Sequence, residues 1–294
     1  MRSLLTAVAT VMVCGSAQAQ GFSGWSSQVE GLVSHQSEAD LSGGGAFSAT
    51  RSFLRGTTLY MAPSGASAGL SLSYGTLNYD FDATSTQPWD NVNDIRLSAP
   101  VRFPMGARSN VLVVPQVRWD YENDAEASDG YTYGVFAGVS WRINDRLTIG
   151  PAFGAYSQLE DDDAEIFPAL LVDWEIADRW RLSTGGGLGA TQGPGLTLSY
   201  AATDALSLSL SARYESLQFR LDDDGLAPGG VGTDESLPVV VSVGYAPNPR
   251  FSVSAFVGAE FEGELTLDDA SGTEVSSQTY DTAPIAGVSL RLRF

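Results

Sequence analysis

The sequence predicts an all-β chain: a transmembrane antiparallel up-and-down β-barrel of about 14 strands, or 12 if the first pair stays outside the membrane. Three observations predict it. Segments of about ten residues alternate apolar with polar along most of the chain, the length and period of a tilted spanning strand. The connections between them alternate short with long. Aromatic residues gather at both ends of the segments, where an amphipathic ring is stable at a membrane surface.

Met1-Arg-Ser is a cationic start, Leu4 to Cys14 a mostly apolar run, and Ala17-Gln-Ala19 a small-residue cleavage site. That is the order of a secretory signal peptide, with an apolar run too short to span. Residues 1–19 are therefore assigned to the signal and 20–294 to one barrel domain. Val13 is not the small residue a lipoprotein signal places before its cysteine. Cys14 is the only cysteine, so its removal leaves no thiol chemistry. The longest later apolar run, Leu237 to Val243, is far short of a membrane helix.

Taken in order, Gln28–Ser37 and Thr50–Met61 alternate least clearly. In the second, Leu54, Thr58 and Tyr60 face out, with Arg51, Phe53 and Arg55 in. Pro63-Ser-Gly65 turns the chain into Ala66–Tyr74, where Ser and Leu alternate. Asp94–Phe103 puts Ile95, Leu97, Val101 and Phe103 out and Arg96 and Arg102 in. Val111–Tyr121 and Tyr131–Ile143 follow with odd-numbered residues out, joined to Leu147–Ser157 through the tight Asn144-Asp145 turn. Ile166–Ile176, Trp180–Ala190, Leu196–Tyr200, Leu206–Tyr214, Leu237–Tyr245 and Phe251–Phe261 come next. The last strand, Pro284–Phe294, presents Ala286, Val288, Leu290, Leu292 and Phe294 on one face and Gly287, Ser289, Arg291 and Arg293 on the other.

Short connections follow Met61, Phe103, Ile143, Ile176, Tyr200 and Tyr245, and long ones follow Ser37, Tyr79, Tyr121, Ser157, Tyr214 and Phe261. This is the asymmetry of barrels with short periplasmic turns and long outer loops. Thr191–Gly195 is the misfit, short where a long loop is due. All acids except Asp145, Asp173, Glu175, Asp178 and Asp204 fall in the long loops or their flanking strand ends, so one rim is anionic. Tyr60, Phe103, Trp141, Trp180, Tyr245, Phe251 and Phe294 mark the short-turn interface. Trp119 and Tyr121 mark the other, with Tyr74, Tyr131, Tyr214 and Phe261.

The chain carries 35 acids against 16 bases, a formal net charge of −19, and every base is Arg. A nucleic-acid partner is excluded, because phosphate binding needs a basic surface. The inward phase nevertheless collects Arg51, Arg55, Arg96, Arg102, Arg118, Arg142, Arg181, Arg213, Arg291 and Arg293. Asp94, Asp120, Asp173, Glu175 and Glu215 share that phase. Two readings stand side by side: a cationic pore wall that favours anions, and an Arg–carboxylate network that stiffens the wall. Many inward positions are Gly or Ser, too small to fill the lumen, so water or an inserted loop occupies it. Inward Leu112, Val114, Phe136, Phe167, Leu171, Val240 and Phe256 form an apolar patch, read as the seat of a loop rather than of an apolar solute.

Asp161-Asp162-Asp163 and Asp222-Asp223-Asp224-Gly225 resemble calcium loops only in composition and lack the alternate-residue ligand spacing. They read as solvated loops, with weak divalent bridging to lipopolysaccharide as the functional version. His35 is the only histidine; with Ser34, Ser37, Glu38 and Asp40 near it, an outer-membrane lipid hydrolase is the third reading, though no motif joins these residues. Gly43–Gly45 and Gly185–Gly187 lack the strand–loop–helix setting of a phosphate cradle. No cofactor or metal site is expected.

The final amphipathic strand ending on Phe294 resembles the terminal signal of bacterial outer-membrane barrels. The block Arg220–Val239, followed by Ser242–Pro249 and the Ala283-Pro284 strand, resembles an uncharacterised family of proteobacterial outer-membrane proteins with a domain of unknown function. The resemblance covers roughly the last 80 residues and implies an outer-membrane location. The partners it implies are outer-membrane lipid and lipopolysaccharide, the barrel-assembly machinery during insertion, and small solutes. Passive or weakly selective, porin-like passage through an Arg-lined lumen is the leading expectation, with a plugged structural or surface-interaction barrel as the alternative.

Overall fold

Alternation along the chain closes into a single antiparallel sheet whose first and last strands pair. The computed structural model describes residues 23–82, 87–160, 164–185 and 195–294. Its strands are β1 (Gly24–Asp40), β2 (Ala46–Met61), β3 (Ser67–Phe81), β4 (Val92–Ser98 and Val101–Pro104), β5 (Ser109–Glu122), β6 (Tyr131–Asn144) and β7 (Leu147–Tyr156). Then come β8 (Glu165–Ala177), β9 (Trp180–Thr184), β10 (Gly195–Ala201), β11 (Leu206–Arg213 and Glu215–Arg220), β12 (Val231–Asn248), β13 (Phe251–Asp268) and β14 (Glu274–Tyr280 and Ala283–Arg293). These 14 strands form the closed barrel. Strand β1 pairs with β14 from Gln28↔Arg293 to Gln36↔Ile285, and with β2 along nearly its whole length. The first pair is thus part of the wall, and the count of twelve is excluded.

Short turns are fixed by local chemistry. The Asn144 side chain accepts the Arg146 N–H at 2.8 Å, and Asn248 accepts those of Arg250 and Phe251 at 2.9 and 3.1 Å. Such Asx contacts stand in for a backbone turn. Gly65 and Gly106 adopt φ of 83° and 81° in their turns, which L-residues rarely do.

The outward face is apolar and open. Val33, Leu54, Leu70, Leu72, Leu170, Val241, Val257, Val288 and Leu290 are all exposed. So broad an apolar girdle on a folded chain marks contact with something other than water, here lipid. Tyr60, Phe103, Trp141, Trp180, Tyr245 and Phe294 are outward and exposed toward the short turns, where Phe251 is half-buried. Trp119 and Tyr121 are half-buried toward the long loops, and the Trp119 ring packs on Tyr131 at 5.7 Å.

Several strands run further than their alternation predicts. Strands β1 and β2 extend beyond Gln28–Ser37 and Thr50–Met61, β3 reaches Phe81, and β12 and β13 run 18 residues each. Gly24–Ser27 and Ala246–Asn248 extend toward the short turns, and the other added residues lie at the long-loop end, where no lipid enforces an apolar outer face. There the strands also break phase. The β1–β2 register shifts between Gln36 and Ala39, β12–β13 between Glu235 and Leu237, and Glu262 of β13 sits at φ 52°. Strand β11 is interrupted at Tyr214 and β14 at Asp281-Thr282. Because Glu260↔Ala283 and Gly263↔Tyr280 are paired on either side of the break, these irregularities share one level. A bulge bends its strand, so five adjacent strands, β11–β14 and β1, lean together above that line. Of the predicted Trp180–Ala190 segment, residues 186–190 lie outside the described residues, as does the Asp161–Asp163 run.

Inward glycines serve rings rather than open water. The Phe53 ring occupies the space a Cβ at Gly75 would need, Phe219 that of Gly232, Tyr280 that of Gly263 and Phe256 that of Gly287. On β7 and β8, Tyr156 and Phe167 stack 5.8 Å apart over Gly134 and Gly154, and Leu171 lies over Gly138. Phe167, Leu171 and Phe256 of the inward apolar patch thus cover glycines of the wall.

Candidate functional site

The leaning strands bring apolar inward residues together above the bulge line. Phe47, Leu77, Tyr79, Trp89, Val92, Phe219, Leu265, Leu267 and Tyr280 form one buried cluster at the long-loop end. Trp89, from the loop before β4, is its centre: 3 % exposed, edge-on to Phe219 at 5.0 Å and to Tyr79 at 5.6 Å. Phe47 meets Tyr280 edge-on at 5.0 Å. Burial of this much aromatic surface is the dominant stabilising term at this end. The walls meet beside the cluster, since Arg220 of β11 pairs with Tyr121 of β5, six strands away around the barrel.

Two charged side chains tie loops across that plug. Glu122 is buried and accepts the backbone N–H of Asp90 with one oxygen and that of Asp222, at 3.0 Å, with the other. It therefore joins the loop carrying Trp89 to the loop carrying Leu221 and Ala227. Burial raises the Glu122 carboxyl above its ordinary range, while the two N–H donors pull it down. Arg220 donates to the carbonyls of Asp129 and Gly229 at 3.1 and 2.8 Å and pairs with Glu160, binding three loops. The acid run beside it has a structural task too, since Asp222 caps its own turn by accepting the Asp224 N–H at 2.8 Å.

Beneath the plug lies a buried polar layer. Arg51 donates to Glu260 at 2.6 Å, to Gln36 at 3.1 Å and to Asp234 at 3.4 Å, and the hydroxyls of Tyr79 and Tyr280 donate to Asp234 at 2.8 and 3.4 Å. Strands β2 and β13 are not neighbours, so the Arg51–Glu260 pair crosses the interior. Two and three strands along from β2, Arg118 pairs with Asp94 at 2.8 Å and Asp120 at 2.9 Å, and Arg96 lies 3.5 Å from Asp94. Glu30 receives both Arg55 and Arg291 at 2.6 Å, and Arg181 forks onto Asp173 with two bonds of 2.6 Å.

Below this layer a cavity of about 730 Å³ runs from the turns at Asp178-Arg179 and Thr203-Asp204 up to Arg51, Phe53 and Leu217. Its wall is rich in hydroxyls, among them Ser199, Ser207, Ser209, Ser242 and Ser289, with Arg181, Arg213 and Arg291 beside them. The volume is that of an ordinary small-molecule site. Arg102, Arg142 and Arg293 are half-buried near the short turns.

Sequence reasoning collected the arginines but missed three of their partners, Glu30, Asp234 and Glu260. Glu30 was legible, since it shares the phase of Leu32 and Ser34. So were the other two, since Glu260 shares the phase of Phe256 and Asp234 that of Val240 and Ser236. The histidine reading loses Ser34 as a candidate nucleophile. His35 is exposed and bonds the Thr50 hydroxyl at 3.0 Å, whereas Ser34 is buried on the opposite face. A base and nucleophile so divided cannot exchange a proton.

No protein-family profile and no curated protein matches the chain. The C-terminal block therefore keeps its likeness to outer-membrane barrels in general, without a family. Among solved structures the chain is similar to an outer-membrane channel from Pseudomonas putida F1, with 12% identity, a TM-score of 0.51, and coverage of 97% of this chain and 100% of that one. Weaker likenesses include a FadL homologue of Pseudomonas aeruginosa at 13% identity, covering 92% and 89% at a TM-score of 0.47. The P. putida toluene transporter TodX gives 10% identity, 92% and 90%, and also 0.47. What the first establishes is a shared barrel fold.

Proposed function

We propose that this barrel sits in the outer membrane, long loops outward, and passes small polar solutes through its lumen when the plugged mouth opens. The observation that carries the proposal is the hydroxyl-lined cavity reaching from the short-turn end to the underside of the plug. A barrel built only as a surface scaffold has no need of that space. The paired arginines favour a wall with little net charge over an open cationic pore, so passage is weakly selective at this level. The plug itself favours the second reading, a sealed barrel whose acidic loops meet other partners.

Conductance separates the two. Hydrogen bonds to a charged partner contribute about 1.5–3 kcal/mol each. Replacing both Glu122 and Arg220 by Ala should therefore shift the open-to-closed ratio by roughly two orders of magnitude or more. In planar bilayers the wild type is expected to open rarely and the double variant often. A folded double variant that never conducts would leave the sealed barrel standing.

A further inference from the structure

The arginines of the lumen are not equivalent. Arg51, Arg55, Arg96, Arg118, Arg181 and Arg291 each sit within ion-pair distance of a carboxylate. Arg213 has Glu215 two residues along its strand, and Arg293 lies in the field of Glu30 beside Arg291. Arg102 and Arg142 have no such partner among the described residues. In both, Nε is buried and meets no acceptor. A buried donor left without an acceptor is costly, and native structures supply one from protein, water or a bound ion.

Both lie toward the short-turn end, on the two strands that flank β5. Arg102 lies two residues before Pro104 and Arg142 two before Asn144, so each sits just above a short turn. Strand β5 adjoins both: Arg102 is level with Leu112, and the Arg142 N–H donates to the Arg108 carbonyl at 2.8 Å. The acid nearest in register is Asp173, opposite Thr148, itself the partner of Arg142. Both Asp173 oxygens are already taken by Arg181. In the turn below Arg142, Asp145 is exposed to solvent, and Asp178 of the next short turn is paired with Arg146 at 2.9 Å.

We infer that Arg102 and Arg142, and not the ion-paired arginines, form an anion site at the short-turn mouth of the lumen, taking small oxyanions that carry phosphate or carboxylate oxygens. The guanidinium fork matches such oxygens in geometry. The transport consequence rests on the passage reading; the binding does not.

The test is titration of inorganic phosphate into the refolded barrel in detergent at low salt, followed by calorimetry. Saturable binding is expected in the wild type. Arg102→Gln and Arg142→Gln should each weaken it by about tenfold, while Arg250→Gln, an equal charge change at an exposed turn elsewhere on that end, leaves it intact. No saturable binding, or equal weakening by Arg250→Gln, overturns the site. In barrels opened by Glu122→Ala and Arg220→Ala, the reversal potential in a salt gradient should show anion preference that the two Gln substitutions reduce. If those barrels do not conduct, the passage reading falls, and the titration alone decides the site.

Discussion

Replacing Trp89 by Ala is expected to unseal the long-loop end. Trp89 belongs to the loop before β4, yet its ring is buried against Tyr79, Phe81 and Phe219, which come from two different sectors of the wall. Truncating a buried Trp costs about 3–5 kcal/mol. That cost falls on the closed state, since an open mouth leaves the ring in water. The open-to-closed ratio should therefore rise by roughly two to three orders of magnitude. Proteoliposomes carrying Trp89→Ala are expected to swell quickly in an isosmotic solution of a neutral sugar, and wild-type vesicles slowly. Swelling at the wild-type rate, in a variant that still runs as a compact band before heating, would show that Trp89 does not seal the barrel.

Arg51→Leu carries the largest expected loss of stability. Among the described residues, Arg51 is the only cation within ion-pair distance of Glu260 and Asp234, both buried. Its removal leaves two carboxylates without a counter-charge in a place water reaches poorly. Breaking a buried pair from one side costs about 3–5 kcal/mol, whereas replacing the whole network by neutral groups is often close to neutral. The urea midpoint for unfolding from vesicles should thus fall sharply in Arg51→Leu. It should recover largely when Glu260→Gln and Asp234→Asn are added. A single variant with an unchanged midpoint would mean that the network adds nothing to the wall.

The contrast between these two sites shows what alternation can and cannot reveal. Arg51, Phe53 and Arg55 took their inward phase directly from period two, with Leu54 between them facing lipid. The same rule placed Leu54, Val288 and Leu290 outside. Above the bulges it no longer applies. Ala39 and Leu41 of the first hairpin, and Leu265 and Leu267 of β13, are buried inside, but an extra residue below each has inverted the count. Trp89 gave no period at all, being a loop residue whose partners lie far away in sequence. The plug was therefore invisible, while the wall it closes was not. A loop entering the barrel was foreseen in kind, and the segment of Trp89 is one, packed at the long-loop end. The choice between a free cationic wall and an ion-pair network turned on Glu30, Asp234 and Glu260, all three of which keep the inward phase of their strands.

The most direct measurement of gated passage uses the place where opposite walls touch. Tyr121 and Arg220 are backbone partners across the mouth, within the Cα separation a disulfide needs, and the described residues contain no cysteine. Single-channel current should be recorded from Tyr121→Cys/Arg220→Cys before and after reduction in the same bilayer. Oxidised, the bridge replaces the Arg220 clamp, and the barrel is expected to stay as quiet as the wild type. Reduced, it has lost that clamp and should open in steps. Equal currents in both states, or silence after reduction, would contradict a lumen that conducts when its outer mouth is released.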